Sequence, residues 1–255
     1  KNCRTQNFRN IRTTRSPIMY NCKEKSFFLE NGYLHAKNVL EVSHLEEIRR
    51  SFDEVWEAET PGKVNQHKLL KYPEFIRLIE HSPILDRHKA IFGRQVQLLQ
   101  YDLLRQAPRQ EDGGLSWHRD FSFPGDRPLS VNTIVYLDDM RKDRGPTRVL
   151  PKSHIGENLP PTESRCEDMS GEVLVEAEAG DAVFINSAIW HTGDRNRSDG
   201  LRRGIYMYYG FWWLKRYESN ECLPWQAFEG AGEQRLRLLG VNMPDRDIHI
   251  YDPIK

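Results

Sequence analysis

Two residues that can bind a metal ion lie two positions apart in the segment GGLSWHRDFSFPGD, residues 113–126. In a β-strand, residues two apart project from the same face, so His118 and Asp120 can reach one ion. The similar pair His44 and Glu46 falls in a predicted helix, where side chains two positions apart diverge. The first pair is therefore the candidate for a metal site.

A third ligand is expected from another strand that faces the same cavity. The segment AVFINSAIWH, residues 182–191, begins as a predicted strand and runs into His191. Two imidazoles and one carboxylate occupy half of an octahedron, an arrangement that suits non-haem Fe(II) with room for an oxo acid and dioxygen. The alternative for His191 is a structural role at a strand end beside Trp190.

An arginine is expected close to His191. The segment TGDRNRSDG, residues 192–200, is predicted to be a hairpin loop that returns the next strand beside His191. Either Arg202 or Arg203 would then face the pocket, because alternation along a strand allows only one of them to do so. A guanidinium in that place is a bidentate clamp for a carboxylate. The alternative is that both arginines are surface charges.

The elements that must position these residues change type along the chain. Ser43 to Glu46 form a predicted capping box for a helix over about 44–58, and two further helices begin at Pro73 and at Ser82, the last ending at Gly93. After these helices, short apolar runs are separated by turns rich in glycine and proline. The predicted strands are residues 96–104, 131–137, 147–150, 172–177, 182–186 and 203–213.

This order of elements predicts a mainly β protein, an antiparallel sandwich or barrel of jelly-roll type with an N-terminal helical cap. We expect one domain over residues 27–255 and a basic, flexible segment over residues 1–26. Within the domain, the predicted parts are a helical part at about 43–93, a jelly-roll core at about 96–213 and a C-terminal extension at 214–255.

The composition favours a small-molecule partner. Lys plus Arg and Asp plus Glu number 37 each, so no basic field predicts binding to nucleic acid. No apolar run is long enough to span a membrane. The 4 cysteines are few and widely spaced, which favours a reducing compartment and a cytoplasmic location. The basic, acid-free start is expected to be a solvated tail; the alternative is the remnant of a transit peptide to an organellar matrix. The oligomeric state is not predicted.

Three longer stretches carry a family resemblance: WHRD, VNTIVYLDDMRKDRGPTRVLPKSH and GDAVFINSAIWHTGDRNRSDGLRRGIYMYY. Together with the earlier FLENGYLHAKNVLEVSHLEEIRRSF, they resemble the phytanoyl-CoA dioxygenase (PhyH) family of Fe(II)/2-oxoglutarate-dependent oxygenases, over about residues 27–213. The resemblance implies a double-stranded β-helix, the cupin-like form of the jelly roll, in which His118, Asp120 and His191 hold iron. It also implies that Arg202 binds the far carboxylate of 2-oxoglutarate, with Arg203 as the alternative.

The implied activity is hydroxylation of a small organic molecule with dioxygen, releasing succinate and carbon dioxide. Halogenation is not expected, because Asp120 fills the ligand position that a halide would need. The rival hypotheses are a non-redox cupin-like isomerase holding zinc or manganese, a ligand-binding module without turnover, and an interaction domain in which the three ligands never meet. Arg202 separates the first two from an oxygenase, because only 2-oxoglutarate needs a clamp for a dicarboxylate.

Other residues are assigned smaller roles. Thr133, rather than its neighbour Asn132, is expected to give a hydrogen bond to the cosubstrate, and Arg119 is expected to point away from the ion. The pair Asp247 and His249 is a rival in the C-terminal tail without a third partner. The residues expected to line the substrate part of the cavity are Tyr206, Tyr208, Trp117 and Arg148. A coenzyme A ester, a free lipid, an amino acid and a secondary metabolite remain alternatives for the substrate.

Overall fold

A computed structural model describes residues 22–61, 63–110, 114–121, 127–156, 165–216 and 222–241. The helices are α1 Cys22–Asn31, α2 Val42–Glu59, α3 Gln66–Leu69, α4 Pro73–Leu78, α5 Ser82–Phe92 and α6 Glu233–Leu238. The strands are β1 Tyr33–Ala36, β2 Val96–Gln106, β3 Ser130–Tyr136, β4 Thr147–Val149, β5 Val173–Val175, β6 Ala182–Asn186, β7 His191–Thr192 and β8 Arg202–Phe211. None of the helices in these ranges has the length and apolar character needed to cross a membrane.

The strands form two antiparallel sheets. The larger has five strands in the order β1-β6-β3-β8-β2, and the smaller has three in the order β5-β4-β7. Neighbours in the larger sheet come from distant parts of the chain, as expected for a jelly roll. The predicted mainly β, jelly-roll fold with a helical cap is confirmed.

The larger sheet is covered on both faces. One face packs on the helices, where Phe184 and Met207 share a core with Ile48 and Phe52 of α2. The other face turns towards the smaller sheet, and Ile134 belongs to that second apolar cluster. All seven residues of β3 are buried for this reason, and a strand between two covered faces loses the alternation of apolar and polar residues.

The helix predicted over 44–58 is confirmed, but its predicted capping box is wrong. α2 begins at Val42, and the side chain of the preceding Glu41 makes no capping hydrogen bond. The buried face of the helix follows the predicted spacing at Leu45, Ile48 and Phe52. Packing of this face on the sheet therefore fixes the helix more strongly than the local capping motif.

Two elements before the predicted helical part were not predicted. β1 is an edge strand of the larger sheet, where Tyr33 pairs with Ile185 and Ala36 with Ala182. It is too short to show a recognisable alternation of apolar and polar residues in the sequence. The boundary proposed at residue 26 falls inside α1. The sheet therefore starts before the segment predicted as its core, while residues 1–21 lie outside the described ranges.

Candidate active site

The three predicted metal ligands come together in the structure. One ligand atom each from His118, Asp120 and His191 lies within 4.8 Å of the other two. Nε2 of each histidine is 3.7 Å from the same carboxylate oxygen, Oδ1 of Asp120. The side chains of Asp120 and His191 are largely buried, while that of His118 is about half exposed at 52%. The site is therefore a shallow cluster with one open side.

Backbone pairing places the two histidines side by side. The amide of His118 donates to the carbonyl of His191 at 3.0 Å, and the amide of His191 donates back to His118 at 3.0 Å. Phe121 N–H donates to the Ser187 carbonyl at 2.9 Å and extends this pairing beyond Asp120. A reciprocal pair of this kind holds two α-carbons about 5.5 Å apart, so both imidazoles start from fixed neighbouring positions.

The predicted continuation of one strand into His191 is wrong. β6 ends at Asn186, a turn follows, and His191 begins β7 in the smaller sheet. β7 pairs with β4 through Val149 and His191. The turn residues Ser187 and Ala188 are apolar or small and give no strong sequence signal, so the change of sheet was not visible in the sequence.

Hydrogen bonds fix the orientation of both imidazoles. Nδ1 of His118 is 2.8 Å from the Ser116 carbonyl, and Nδ1 of His191 is 3.0 Å from the Ile189 carbonyl. A carbonyl only accepts, so each Nδ1 carries the hydrogen and each Nε2 keeps its lone pair towards the cluster. Burial lowers the pKa of His191, and the nearby Asp120 carboxylate opposes that shift only in part. The neutral imidazole is the form that binds a metal.

Asp120 has one carboxylate oxygen without a hydrogen bond. Oδ2 is buried and finds no donor among the described residues. A buried carboxylate oxygen without a donor is unfavourable unless a cation compensates it. The two imidazoles and this carboxylate are borderline and hard donors on one side of a common point, which fits a divalent first-row metal such as Fe(II) with open positions.

The two neighbouring arginines lie on opposite faces of β8. Arg203 makes ion pairs with Asp138 at 2.8 Å and with Asp53 at 2.7 Å, on the helix side of the sheet. Arg202 is 2% exposed and lines the same cavity as His118 and His191. Its Nε donates to the Gly145 carbonyl at 3.1 Å, and no carboxylate of the described residues lies within ion-pair distance of it. The structure thus selects Arg202 as the inward-facing guanidinium.

The predicted route by which the arginine approaches His191 is wrong. β8 pairs with β2 and β3, whereas His191 belongs to the other sheet. The segment 193–201 therefore crosses between the sheets and does not form a two-stranded hairpin. Arg202 still reaches the cavity because its side chain points from the larger sheet towards the smaller one, where Thr192 and Gly193 also line the space.

A cavity of about 260 Å³ joins His118 and His191 to Arg202. Tyr206 and Tyr208 line it, since they share the inward face of β8 with Arg202, as predicted. Its walls are formed by Leu104, Gln106, Gly114, His118, Asn132, Ile134, Thr147, His191, Thr192, Gly193, Asp194, Arg195, Arg202, Tyr206 and Tyr208. The lining combines apolar surface with polar groups and both signs of charge, so it suits a small acid together with an organic molecule.

The expectation for Thr133 is wrong in its geometry. Thr133 lies on the helix face of β3, and its hydroxyl is 2.8 Å from Nε2 of His88. Asn132 lines the cavity instead, and its buried Oδ1 has no hydrogen-bond partner among the described residues. Neighbouring residues of a strand point to opposite faces, and Asn132 and Thr133 are both polar, so residue type alone could not distinguish between them.

Two further residues expected to line the cavity lie away from it. Trp117 is buried, and its Nε1 donates to the Glu167 carbonyl at 2.9 Å. The Arg148 guanidinium makes ion pairs with Asp168, Glu172 and Asp194. Both side chains therefore have structural roles that tie the segment after residue 164 to the site.

Arg119 points away from the metal ligands, as predicted. Its guanidinium lies 5.4 Å from the ring centre of Trp190 and donates to the Ser153 carbonyl. The rival pair Asp247 and His249 lies outside the described residues. His154, which carries another candidate imidazole, is buried with Nε2 at 3.0 Å from the Leu29 carbonyl and is no part of the cluster.

Thr147 is a cavity residue that the sequence analysis missed. It is 2% exposed, it lines the cavity, and its hydroxyl contacts the hydroxyl of Tyr136. Burial raises the pKa of Tyr136 to about 12, so this phenol stays protonated. The turn Gly145-Pro146 marked the segment, but the neighbouring Arg148 was chosen; strand alternation puts only one of the two inside.

Comparisons with known proteins agree with this geometry. The sequence pattern of the phytanoyl-CoA dioxygenase (PhyH) family matches residues 28–204. Dioxygenase andF of Emericella variicolor is 30% identical over 141 residues, which cover 54% of this chain and 45% of that protein. The peroxisomal phytanoyl-CoA dioxygenase of Rattus norvegicus is 22% identical over 231 residues, which cover 74% of this chain and 68% of that protein. The chain spans less than half the length of several fungal dioxygenases that it matches.

Solved structures share the fold. HygX from Streptomyces hygroscopicus, with nickel and 2-oxoglutarate bound, superposes with a TM-score of 0.65 at 19% identity, covering 77% of this chain and 89% of HygX. The non-haem α-ketoglutarate-dependent carbocyclase SnoK, from nogalamycin biosynthesis, superposes with a TM-score of 0.59 at 24% identity, covering 74% and 83%. The family pattern extends across both the ligand cluster and Arg202, and the chain therefore belongs to the phytanoyl-CoA dioxygenase family.

Proposed function

We propose that this protein is an Fe(II)- and 2-oxoglutarate-dependent dioxygenase that hydroxylates a small organic molecule and releases succinate and carbon dioxide. One observation carries the proposal: His118 and His191, which cluster with Asp120, line the same cavity as a buried Arg202 that has no carboxylate partner among the described residues. A non-redox metal site has no need of such a guanidinium, whereas a dicarboxylate cosubstrate does.

The metal site fits Fe(II) in its donor set. Each Nε2 is directed to the cluster by the Nδ1 hydrogen bond behind it, so His118 and His191 are oriented before any metal binds. The carboxylate of Asp120, whose Oδ1 lies 3.7 Å from both Nε2 atoms, provides the anionic ligand. These three residues act as ligands rather than as acid or base catalysts. They bind one side of the ion and leave the other side for small molecules.

The cosubstrate site fits 2-oxoglutarate at the end of the cavity that holds Arg202. The guanidinium would bind the far carboxylate and fix which end of the molecule reaches the metal ligands. Thr147, on the smaller sheet, also lines the cavity, and its hydroxyl can donate to that carboxylate. When bound, Fe(II) and 2-oxoglutarate supply the oxidation by dioxygen; the residues of the chain orient the two and limit access of water.

The organic substrate is assigned to the opposite end of the cavity. Asn132 of β3 pairs with Tyr208 of β8, and both residues line the cavity. Tyr208 is six residues along β8 from Arg202, which is about 20 Å of backbone. The unpaired amide oxygen of Asn132 favours a substrate with a hydroxyl or another hydrogen-bonding group. SnoK and SnoN are named as a carbocyclase and an epimerase, so ring closure and epimerisation are alternatives to hydroxylation at the same site.

A coenzyme A ester is not the substrate that we favour. Such a ligand would need cations free to bind its phosphates. Four arginines that follow the helical part all have other contacts: Arg105 with Glu57, Arg109 with Asp199, Arg141 with Asp139 and Arg144 with Ser198. A neutral or weakly charged small molecule fits this lining better, and we propose a reducing, cytoplasmic setting for its turnover.

An anaerobic titration tests the proposed function. Fe(II) and then 2-oxoglutarate are added to metal-free protein, and the weak visible charge-transfer band of the chelated oxo acid is recorded. We expect the band in the wild type and its loss in His191→Ala, with Fe(II) affinity falling by more than about 100-fold.

The control is His44→Ala, which removes a histidine of α2 outside the cavity and should keep the band. Bound metal without a band in the wild type would favour the non-redox isomerase or ligand-binding module. No bound metal would contradict the metal site itself. A product that gains one oxygen atom in mass would separate hydroxylation from ring closure or epimerisation.

A further inference from the structure

The hydroxyl of Tyr206 lies in front of the two terminal nitrogens of Arg202. It is 3.5 Å from Nη1 and 3.5 Å from Nη2, so both terminal nitrogens are equally close to it. The third nitrogen, Nε, is already bonded to the Gly145 carbonyl. The fork that would receive a carboxylate is thus shared with a tyrosine on the same strand.

The contact between these two groups is weak. A distance of 3.5 Å is at the outer limit for a hydrogen bond, well beyond the usual 2.7–3.2 Å. Arg202 is almost fully buried, and a buried guanidinium is strongly unfavourable without charged or hydrogen-bonded partners. The pair therefore keeps unused capacity for an anion.

The tyrosine hydroxyl also retains a donor. A phenol both donates and accepts, and the guanidinium only donates. In its contacts with Arg202 the Tyr206 oxygen must accept, and no acceptor for its own hydrogen is found among the described residues. A carboxylate oxygen in the fork would receive an N–H from Arg202 and the O–H of Tyr206 together.

We infer that the Tyr206 hydroxyl donates a hydrogen bond to the far carboxylate of 2-oxoglutarate and forms a two-residue clamp with Arg202. This inference rests on the proposed function and changes the role of Tyr206 from a substrate-lining residue to a cosubstrate ligand. Tyr208, two residues further along the same face, lies nearer to Asn132 and stays on the substrate side.

Tyr206→Phe tests the clamp, because it removes the hydroxyl and keeps the ring. Dissociation constants are measured anaerobically on Fe(II)-loaded protein for 2-oxoglutarate and for 2-oxopentanoate, which lacks the far carboxylate. We expect affinity for 2-oxoglutarate to fall about tenfold, the effect of one hydrogen bond to a charged group. Affinity for 2-oxopentanoate should be unchanged.

The matched control is Tyr209→Phe, which removes a hydroxyl from the same strand on the helix face, where it donates to the Ile79 carbonyl at 3.0 Å. It should leave both affinities within twofold of the wild type. Unchanged or tighter 2-oxoglutarate binding in Tyr206→Phe, or equal weakening for both oxo acids, would overturn the inference. Absence of 2-oxoglutarate binding in the wild type would instead overturn the proposed function. Tyr206→Met gives the same comparison if the phenylalanine variant does not fold.

Discussion

The two faces of the larger sheet differ in whether their polar side chains have partners within the protein. On the helix face, the polar side chains of β3 and β8 are paired: Thr133 with His88, Arg203 with Asp138, and the Tyr209 hydroxyl with a carbonyl. On the cavity face, Arg202 has no carboxylate among the described residues, and the Oδ1 of Asn132 has no partner there. Buried polar groups are normally satisfied by the fold itself. The difference marks the cavity face as the one completed by ligands.

The arginine pair on β8 gives the strongest test of this comparison. Arg202→Ala should weaken 2-oxoglutarate binding by about 100-fold or more, because two charged hydrogen bonds are lost. It should leave the free energy of unfolding of the ligand-free protein unchanged or raised, since a buried unpaired charge is removed. Isothermal titration and chemical denaturation measure the two quantities.

The companion variant Arg203→Ala should show the opposite pattern. It leaves Asp138, which is largely buried, without its cation and should lower the free energy of unfolding by about 2 kcal/mol. Binding of 2-oxoglutarate should change less than twofold. Equal effects of the two variants on binding would remove the distinction between the faces.

His88 makes the helix face sensitive to pH. Burial lowers its pKa from 6.5 to about 3, so the unfolded chain binds one more proton than the folded protein between those values. The stability contributed by neutral His88 is present above pH 6.5 and is lost as the pH falls towards 3. Relative to His88→Gln, the wild type should lose about 2 kcal/mol of unfolding free energy between pH 7.5 and 5. A parallel pH dependence in both proteins would contradict this assignment.

The smallest expected effects come from removing the hydroxyl of Thr133 on the helix face or that of Thr147 in the cavity. Thr133→Val removes the partner of His88 and should lower the free energy of unfolding by about 1 kcal/mol without altering 2-oxoglutarate affinity. Thr147→Val changes a cavity residue and should weaken 2-oxoglutarate binding several-fold. If Thr133→Val also weakened binding, the original assignment of Thr133 to the cosubstrate would return.

Much of the fold was predictable because its signals are local. The spacing of Leu45, Ile48 and Phe52 predicted α2, and Gly93 predicted the end of α5. β1 and β7 were not predicted, since strands of four and two residues are stabilised by their neighbours rather than by their own periodicity. The capping box at Ser43 also failed, because burial of one helix face outweighs a single cap.

The order of residues was enough to specify the chemical types at the site: two histidines, one aspartate and a nearby arginine in a family-like order. The packed fold was needed to show that Arg202 rather than Arg203, and Asn132 rather than Thr133, faces the cavity. These choices depend on which face of a strand is covered by helices and which by the second sheet. The two-residue period of a strand shows which residues share a face, but it does not show which face is turned to the cavity. Long-range packing determines that orientation.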